Sequence, residues 1–151
     1  MPSLQEKIGE DIKDAMRKKE EVRLGTLRML KSDLQYEMTK TGATSLPDDA
    51  VMRLMRTAIK KRVDAKEQFE KGDRPELAAK EAAEIVILEA YLPANISEDV
   101  VRKKVEEVIA EMKPQGPQDL GKVMGKVMAA FKGQNVDGTT VNKIVKSLLG
   151  G

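Results

Sequence analysis

Gly121-Lys-Val-Met-Gly-Lys-Val-Met128 is a four-residue unit written twice. At about 100° per residue it forms a helix with three distinct faces. Leu120, Val123, Met124, Val127, Met128 and Phe131 make one continuous apolar stripe. Gly121 and Gly125 lie one turn apart at the edge of that stripe, and Lys122 and Lys126 lie one turn apart beyond them. A glycine inside a helix costs about 1 kcal/mol relative to alanine, so two of them call for an offsetting gain. Close approach of another backbone, from a neighbouring helix or a ligand, is the expected source.

The pattern on either side of this unit is also helical. Ser3 and Glu6 form a capping box ahead of Leu4, Ile8, Ile12, Ala15 and Met16. A second amphipathic run carries Leu24, Leu27, Leu30, Leu34 and Met38 and ends near Thr41-Gly42. Pro47 with Asp48-Asp49 opens a third helix, because proline suits the first turn and acids suit its positive dipole. Gly72 closes that helix, and Pro75 starts a fourth that runs to Tyr91. Leu92-Pro-Ala-Asn95 breaks the periodicity. Ser97 then caps a fifth helix with Val101, Val105, Val108, Ile109 and Met112 on one face. The tandem unit follows a proline-containing break at 114–117. A turn over 133–138 leads to a last short helix with Val141, Ile144, Val145, Leu148 and Leu149. No segment alternates with period two, so no sheet is expected. The reading is all-α: an N-terminal part of about four helices over 1–92, a linker over 93–95, and a small C-terminal three-helix bundle over 96–151.

Composition narrows the chemistry. Of 151 residues, 40% are hydrophobic but only 3% aromatic, so the core must be aliphatic. Charged residues reach 34% with a net charge of +2, the balance of helices laced with ion pairs rather than of a strongly basic protein. The charge is uneven along the chain. From Lys113 onward Lys113, Lys122, Lys126, Lys132, Lys143 and Lys146 face only Asp119 and Asp137.

There is no cysteine and no histidine. Disulfide, Ser-His-Asp and Cys-His chemistry are excluded, and so are conventional zinc sites. No metal and no small-molecule cofactor is expected. Ile85-Val-Ile-Leu88 is the longest apolar run, far too short to span a bilayer. The acidic, amphipathic N-terminus lacks the character of a secretory signal. A cytoplasmic protein is expected. Carboxylates are plentiful, but Glu81, Glu84 and Glu89 lie near lysine and form no pair marked for acid–base work. Lys60-Lys-Arg62 with Lys66, and Lys18-Lys19, are flanked by acids and read as ion-paired surface. No strand or Gly-Lys-Ser/Thr triad accompanies Gly121, which excludes a phosphate loop of that kind.

The residues in this pattern favour binding over catalysis. On the tandem helix, the valines and methionines read as core and the lysines as contacts. On the last helix Asn142, Lys143 and Lys146 lie opposite Val141, Ile144 and Leu148, extending the basic surface. Thr139 and Thr140 stand where a hydroxyl would cap that helix.

Tyr91-Leu-Pro93, the tandem unit, and Asp137-Gly138 with Val141-Asn142 resemble the GatB/YqeY family. Leu27-Arg-Met-Leu-Lys-Ser32, Lys61-Arg62, Phe69-Glu-Lys-Gly72 and Glu81 resemble its stand-alone YqeY-like members. The resemblance implies kinship with the tail of the B subunit of glutamine-dependent aspartyl/glutamyl-tRNA amidotransferases. In those enzymes the tail contacts tRNA, and the carbon–nitrogen ligase chemistry sits in a separate domain with no counterpart in these residues. It therefore implies a tRNA-associated accessory protein with no catalysis of its own. Its partners would be tRNA, and with it aminoacyl-tRNA or amidotransferase components. Lys122, Lys126, Lys132, Lys143 and Lys146 would contact phosphates, Asn142 would hydrogen-bond, and Gly121 and Gly125 would allow close approach. The alternative is a protein-interaction module that docks a partner helix on its Gly/Met surface without RNA.

Overall fold

A computed structural model describes residues 2–150. Among them are seven α-helices and one short 3-10 turn. The chain divides into two compact units, Met1–Leu92 and Pro93–Gly151.

The first unit holds α1 (Leu4–Lys18), α2 (Glu21–Thr41), α3 (Asp48–Lys71) and α4 (Pro75–Glu89). The capping box forms as expected: the Ser3 hydroxyl accepts from the Glu6 N–H, and Glu6 accepts from the Ser3 N–H. The α2–α3 connection is tied back to α1. Asp48 Oδ1 accepts from the Leu4 N–H at 2.9 Å, and Gln5 Oε1 accepts from the Leu46 N–H at 2.9 Å. Lys19 and Gly42 take left-handed conformations that end α1 and α2. The core is aliphatic, with Ile8, Leu27, Leu30, Leu34, Met55 and Leu88 almost fully buried. Helix α4 stops at Glu89, two residues before the expected Tyr91; Tyr91 and Leu92 continue as tight i→i−3 turns that meet Pro93. A proline after the helix disfavours its continuation.

Arg62 departs from the sequence reading of its cluster as exposed ion pairs. It is buried on α3, and its Nε donates to Glu84 Oε2 of α4 at 3.0 Å. Its Nη1 donates to the Ala58 carbonyl. Of the lysines in that cluster Lys66 pairs with Glu70 one turn on, whereas Lys60 and Lys61 are exposed with no carboxylate within ion-pair distance among the described residues. Burial, with Glu84 close by, raises the pKa of the Glu81 carboxyl. Tyr91 donates its hydroxyl to Asp11, and Lys7 Nζ lies 5.4 Å from the centre of its ring. Burial and that hydrogen bond push the phenol well above its ordinary range.

The second unit holds α5 (Glu98–Met112), the 3-10 turn (Pro117–Asp119), α6 (Leu120–Ala130) and α7 (Gly138–Leu148), with all three helices packed pairwise. Ser97 accepts from the Val100 N–H at the start of α5. Among the described residues there is no sheet, only an isolated parallel bridge between Asn95 and Asn135. No helix among the described residues is long and apolar enough to cross a membrane.

A candidate nucleic-acid interface on the second unit

The apolar stripe of the tandem unit is core. Val123 and Val127 are fully buried and Phe131 nearly so. They pack with Val101, Val105 and Val108 of α5 and Val141, Ile144 and Val145 of α7. Each fully buried aliphatic side chain supplies about 1.5–3 kcal/mol of transfer free energy. Leu120, Met124 and Met128 close the margins of this core.

Packing those residues inward leaves Gly121, Lys122, Gly125, Lys126 and Ala129 exposed on the outward face of α6. The glycines do not serve a close helix contact within the unit. A Cβ built at either position meets nothing within 4 Å. The helical cost at these positions is therefore not offset by packing in the free unit, and bare backbone faces outward.

The lysines differ among themselves. Lys126 Nζ lies 2.7 Å from Glu111 Oε1 of α5. This pair is exposed, so solvent screens it. The ammonium nevertheless lowers the pKa of the Glu111 carboxyl below its ordinary value. Lys122, Lys132, Lys143 and Lys146 are exposed and, among the described residues, have no carboxylate within ion-pair distance. Lys143 and Lys146 face outward on α7, Asn142 sits half-buried beside its core face, and Lys132 lies in the turn after α6. The candidate residues thus occupy two helix faces and one connecting turn.

The cap of α7 differs from the expected one. Asp137, not a threonine hydroxyl, is the N-cap, and its Oδ1 accepts from the Thr139 N–H at 2.9 Å. The Thr140 hydroxyl donates to the same carboxylate. An anion also suits the positive end of the helix dipole better than a neutral hydroxyl.

Asn135 is the residue that sequence reasoning missed. It is buried, and its Nδ2 donates to the Pro93 carbonyl at 3.0 Å and to Asn95 Oδ1 at 2.7 Å. Its own carbonyl accepts from the Ile96 N–H at 3.0 Å. These bonds fasten the 131–137 turn to the segment entering α5, and so set where α6 ends and α7 begins. Gly133, at a φ of +80°, provides the left-handed step in that turn. An asparagine between Gln134 and Val136 was the only available signal; its partners lie about forty residues earlier in the chain.

The fold and surface define a class: a two-unit, all-helical protein whose smaller bundle presents lysines and bare helix backbone outward. The chain belongs to the YqeY-like protein family, whose model matches residues 5–149. It is similar to "Altered inheritance of mitochondria protein 41, mitochondrial" of Pyrenophora tritici-repentis, at 29% identity over 93% of this chain and 77% of that protein. The protein of the same name in Kluyveromyces lactis is 30% identical, over 80% of this chain and 66% of its own length. An uncharacterized protein of Schizosaccharomyces pombe is 34% identical, over 64% and 78% respectively.

Proposed function

We propose that this protein is a tRNA-associated accessory factor whose second unit binds the tRNA backbone. The observation that carries this reading is the outward presentation of lysines without carboxylate partners on α6, α7 and the intervening turn, beside exposed backbone at Gly121 and Gly125. Lysine contacts to phosphate position a nucleic acid without reading its sequence, which suits a factor acting on tRNA as a class. The resemblance to amidotransferase tails narrows the polyanion to tRNA and adds aminoacyl-tRNA or amidotransferase components as partners. The chain contributes binding; any amide transfer would belong to those partners. The reducing setting we infer is the cytoplasm. The Pyrenophora tritici-repentis and Kluyveromyces lactis relatives carry a mitochondrial designation, and a chain without cysteine suits either compartment.

A tRNA titration over a salt series tests this. Five engaged lysines give a slope of about −4 in log K against log salt, and Lys122→Ala/Lys126→Ala flattens it by about 2. Glu111→Gln frees Lys126 and tightens binding. Equal, weak binding by the parent chain and the double variant overturns the proposal. Ribonuclease-resistant co-purification of a protein, lost in Gly125→Leu but intact in the lysine variant, reassigns the face to a partner helix.

A further inference from the structure

The buried guanidinium of Arg62 has one donor group that the fold leaves poorly served. Its Nε donates to Glu84 Oε2 of α4 and its Nη1 to the Ala58 carbonyl, both at 3.0 Å. Its Nη2 is aimed at α2, where the acceptor is the Met29 sulfur at 3.7 Å. A guanidinium is a fork of strong donors, whereas a thioether is a weak acceptor. Arg62 has only 9% of its surface exposed, so water offers Nη2 little compensation. A buried cation is stabilised in proportion to the completeness of its hydrogen bonds, and here one is weak.

Met29 itself is open to solvent. It is 57% exposed and Met16 is 51% exposed; the other described methionines are half-buried or buried. An exposed thioether is the form of methionine most susceptible to oxidation. Among the described residues only two methionine sulfurs accept a hydrogen bond, Met29 from Arg62 and Met38 from Gln5. Met38 is half-buried, and its donor is a neutral amide. Exposure to an oxidant and a cationic donor therefore coincide at Met29 alone. The spacing also suits the oxidised side chain. An S–O bond and an ordinary N–H···O bond, meeting at a bent angle, together span close to the 3.7 Å that already separates Sδ from Nη2. A sulfoxide oxygen reaches the guanidinium with the sulfur where it stands.

We propose that Met29 is an oxidation site and that Arg62 receives the product. The Met29 sulfur lone pair attacks hydrogen peroxide, and the S–O bond forms as the O–O bond breaks. The departing hydroxide takes the proton left on the new oxygen, giving the sulfoxide and water. Sulfur loses two electrons and the peroxide gains them. Arg62 Nη2 then donates to the sulfoxide oxygen in a charge-assisted bond, which ties α2 to α3 and, through Glu84, to α4. Methionine oxidation ordinarily loosens a fold by placing a polar group among apolar ones. At Met29 it completes the bonding of a buried cation and tightens the first unit. The site is remote in sequence from α6 and α7 and does not depend on RNA binding.

The test is dilute hydrogen peroxide on the full chain carrying Met16→Leu, stopped when intact mass shows one oxygen added. Peptide mapping should place that oxygen on Met29. In urea the unfolding equilibrium constant should fall about ten-fold on oxidation, as for one added hydrogen bond to a charged group. Met29→Leu oxidised at Met16 should show no such gain. Met29→Gln, which offers a carbonyl oxygen to Arg62 without any oxidant, should be stabilised like the sulfoxide. In Arg62→Leu/Glu84→Leu the gain from oxidising Met29 should vanish. A Met29 that stays reduced while half-buried methionines oxidise overturns the inference. So does a Met29 sulfoxide that leaves stability unchanged or lowers it, or a gain that persists in Arg62→Leu/Glu84→Leu.

Discussion

Replacing Gly121 and Gly125 of α6 by alanine should stabilise the second unit. Both residues have ordinary helical backbone, since neither is among the glycines with positive φ. A Cβ at either position meets nothing within 4 Å. No steric cost therefore opposes the gain in helix propensity. Gly125 sits in the helix interior, where the gain is about 1 kcal/mol; Gly121 lies in the first turn, where about half of that is expected. The sum, about 1.5 kcal/mol, corresponds to about a ten-fold shift in the folding equilibrium. Amide hydrogen exchange at Val123 and Val127, the buried residues of the same helix, measures it directly: exchange should slow about ten-fold in the double variant. Faster exchange would show that the backbone there requires glycine for a reason absent from the free unit's packing, and would refute the argument. The same variant reports on function. If the exposed backbone is where tRNA approaches, the two methyl groups weaken tRNA binding while the fold gains stability. Stabilisation with unchanged tRNA affinity would leave the glycines without a binding role.

Glu84→Ala strands the buried Arg62 guanidinium and should cost about 3 kcal/mol in urea unfolding followed by tyrosine emission, whereas Arg62→Leu/Glu84→Leu recovers most of that loss. Asn135→Ala leaves the Pro93 carbonyl and Asn95 without their donor and should cost about 1–3 kcal/mol in a thermal melt of the chain. The raised pKa of Tyr91 means that the folded state keeps a proton the unfolded chain releases. Stability from this group is full below the ordinary phenol value of 10.0 and falls as pH rises beyond it. Urea midpoints across the alkaline range should therefore decline more steeply in the parent than in Tyr91→Phe.

Much of this architecture was legible because helix signals are local. Ser3 with Glu6, Ser97 at α5, Gly42 after α2 and Pro75 at the start of α4 act within four residues of their targets. Helical periodicity alone assigned Val123, Val127 and Phe131 to the core, because the apolar face of an amphipathic helix must be covered. The outward direction of Lys122 and Lys126 followed from the same projection.

The sequence by itself therefore determined the helices, most of their ends, the aliphatic core and the absence of thiol or imidazole chemistry. Only the tertiary structure decided which charges are held. Arg62 looked like its exposed neighbours Lys60 and Lys61, yet it points into the core and takes a carboxylate from α4. Lys126 and Lys122 are equivalent in sequence, but only Lys126 meets an acid, Glu111 of α5. Asn135 became a fastening point because Pro93 and Asn95 come within reach, and Gly121 and Gly125 were left open rather than packed. The physical reason is common to all four. Helix formation depends on neighbours three or four residues apart, whereas the partner of a side chain, or the lack of one, depends on which distant segment the packing of the core brings alongside it.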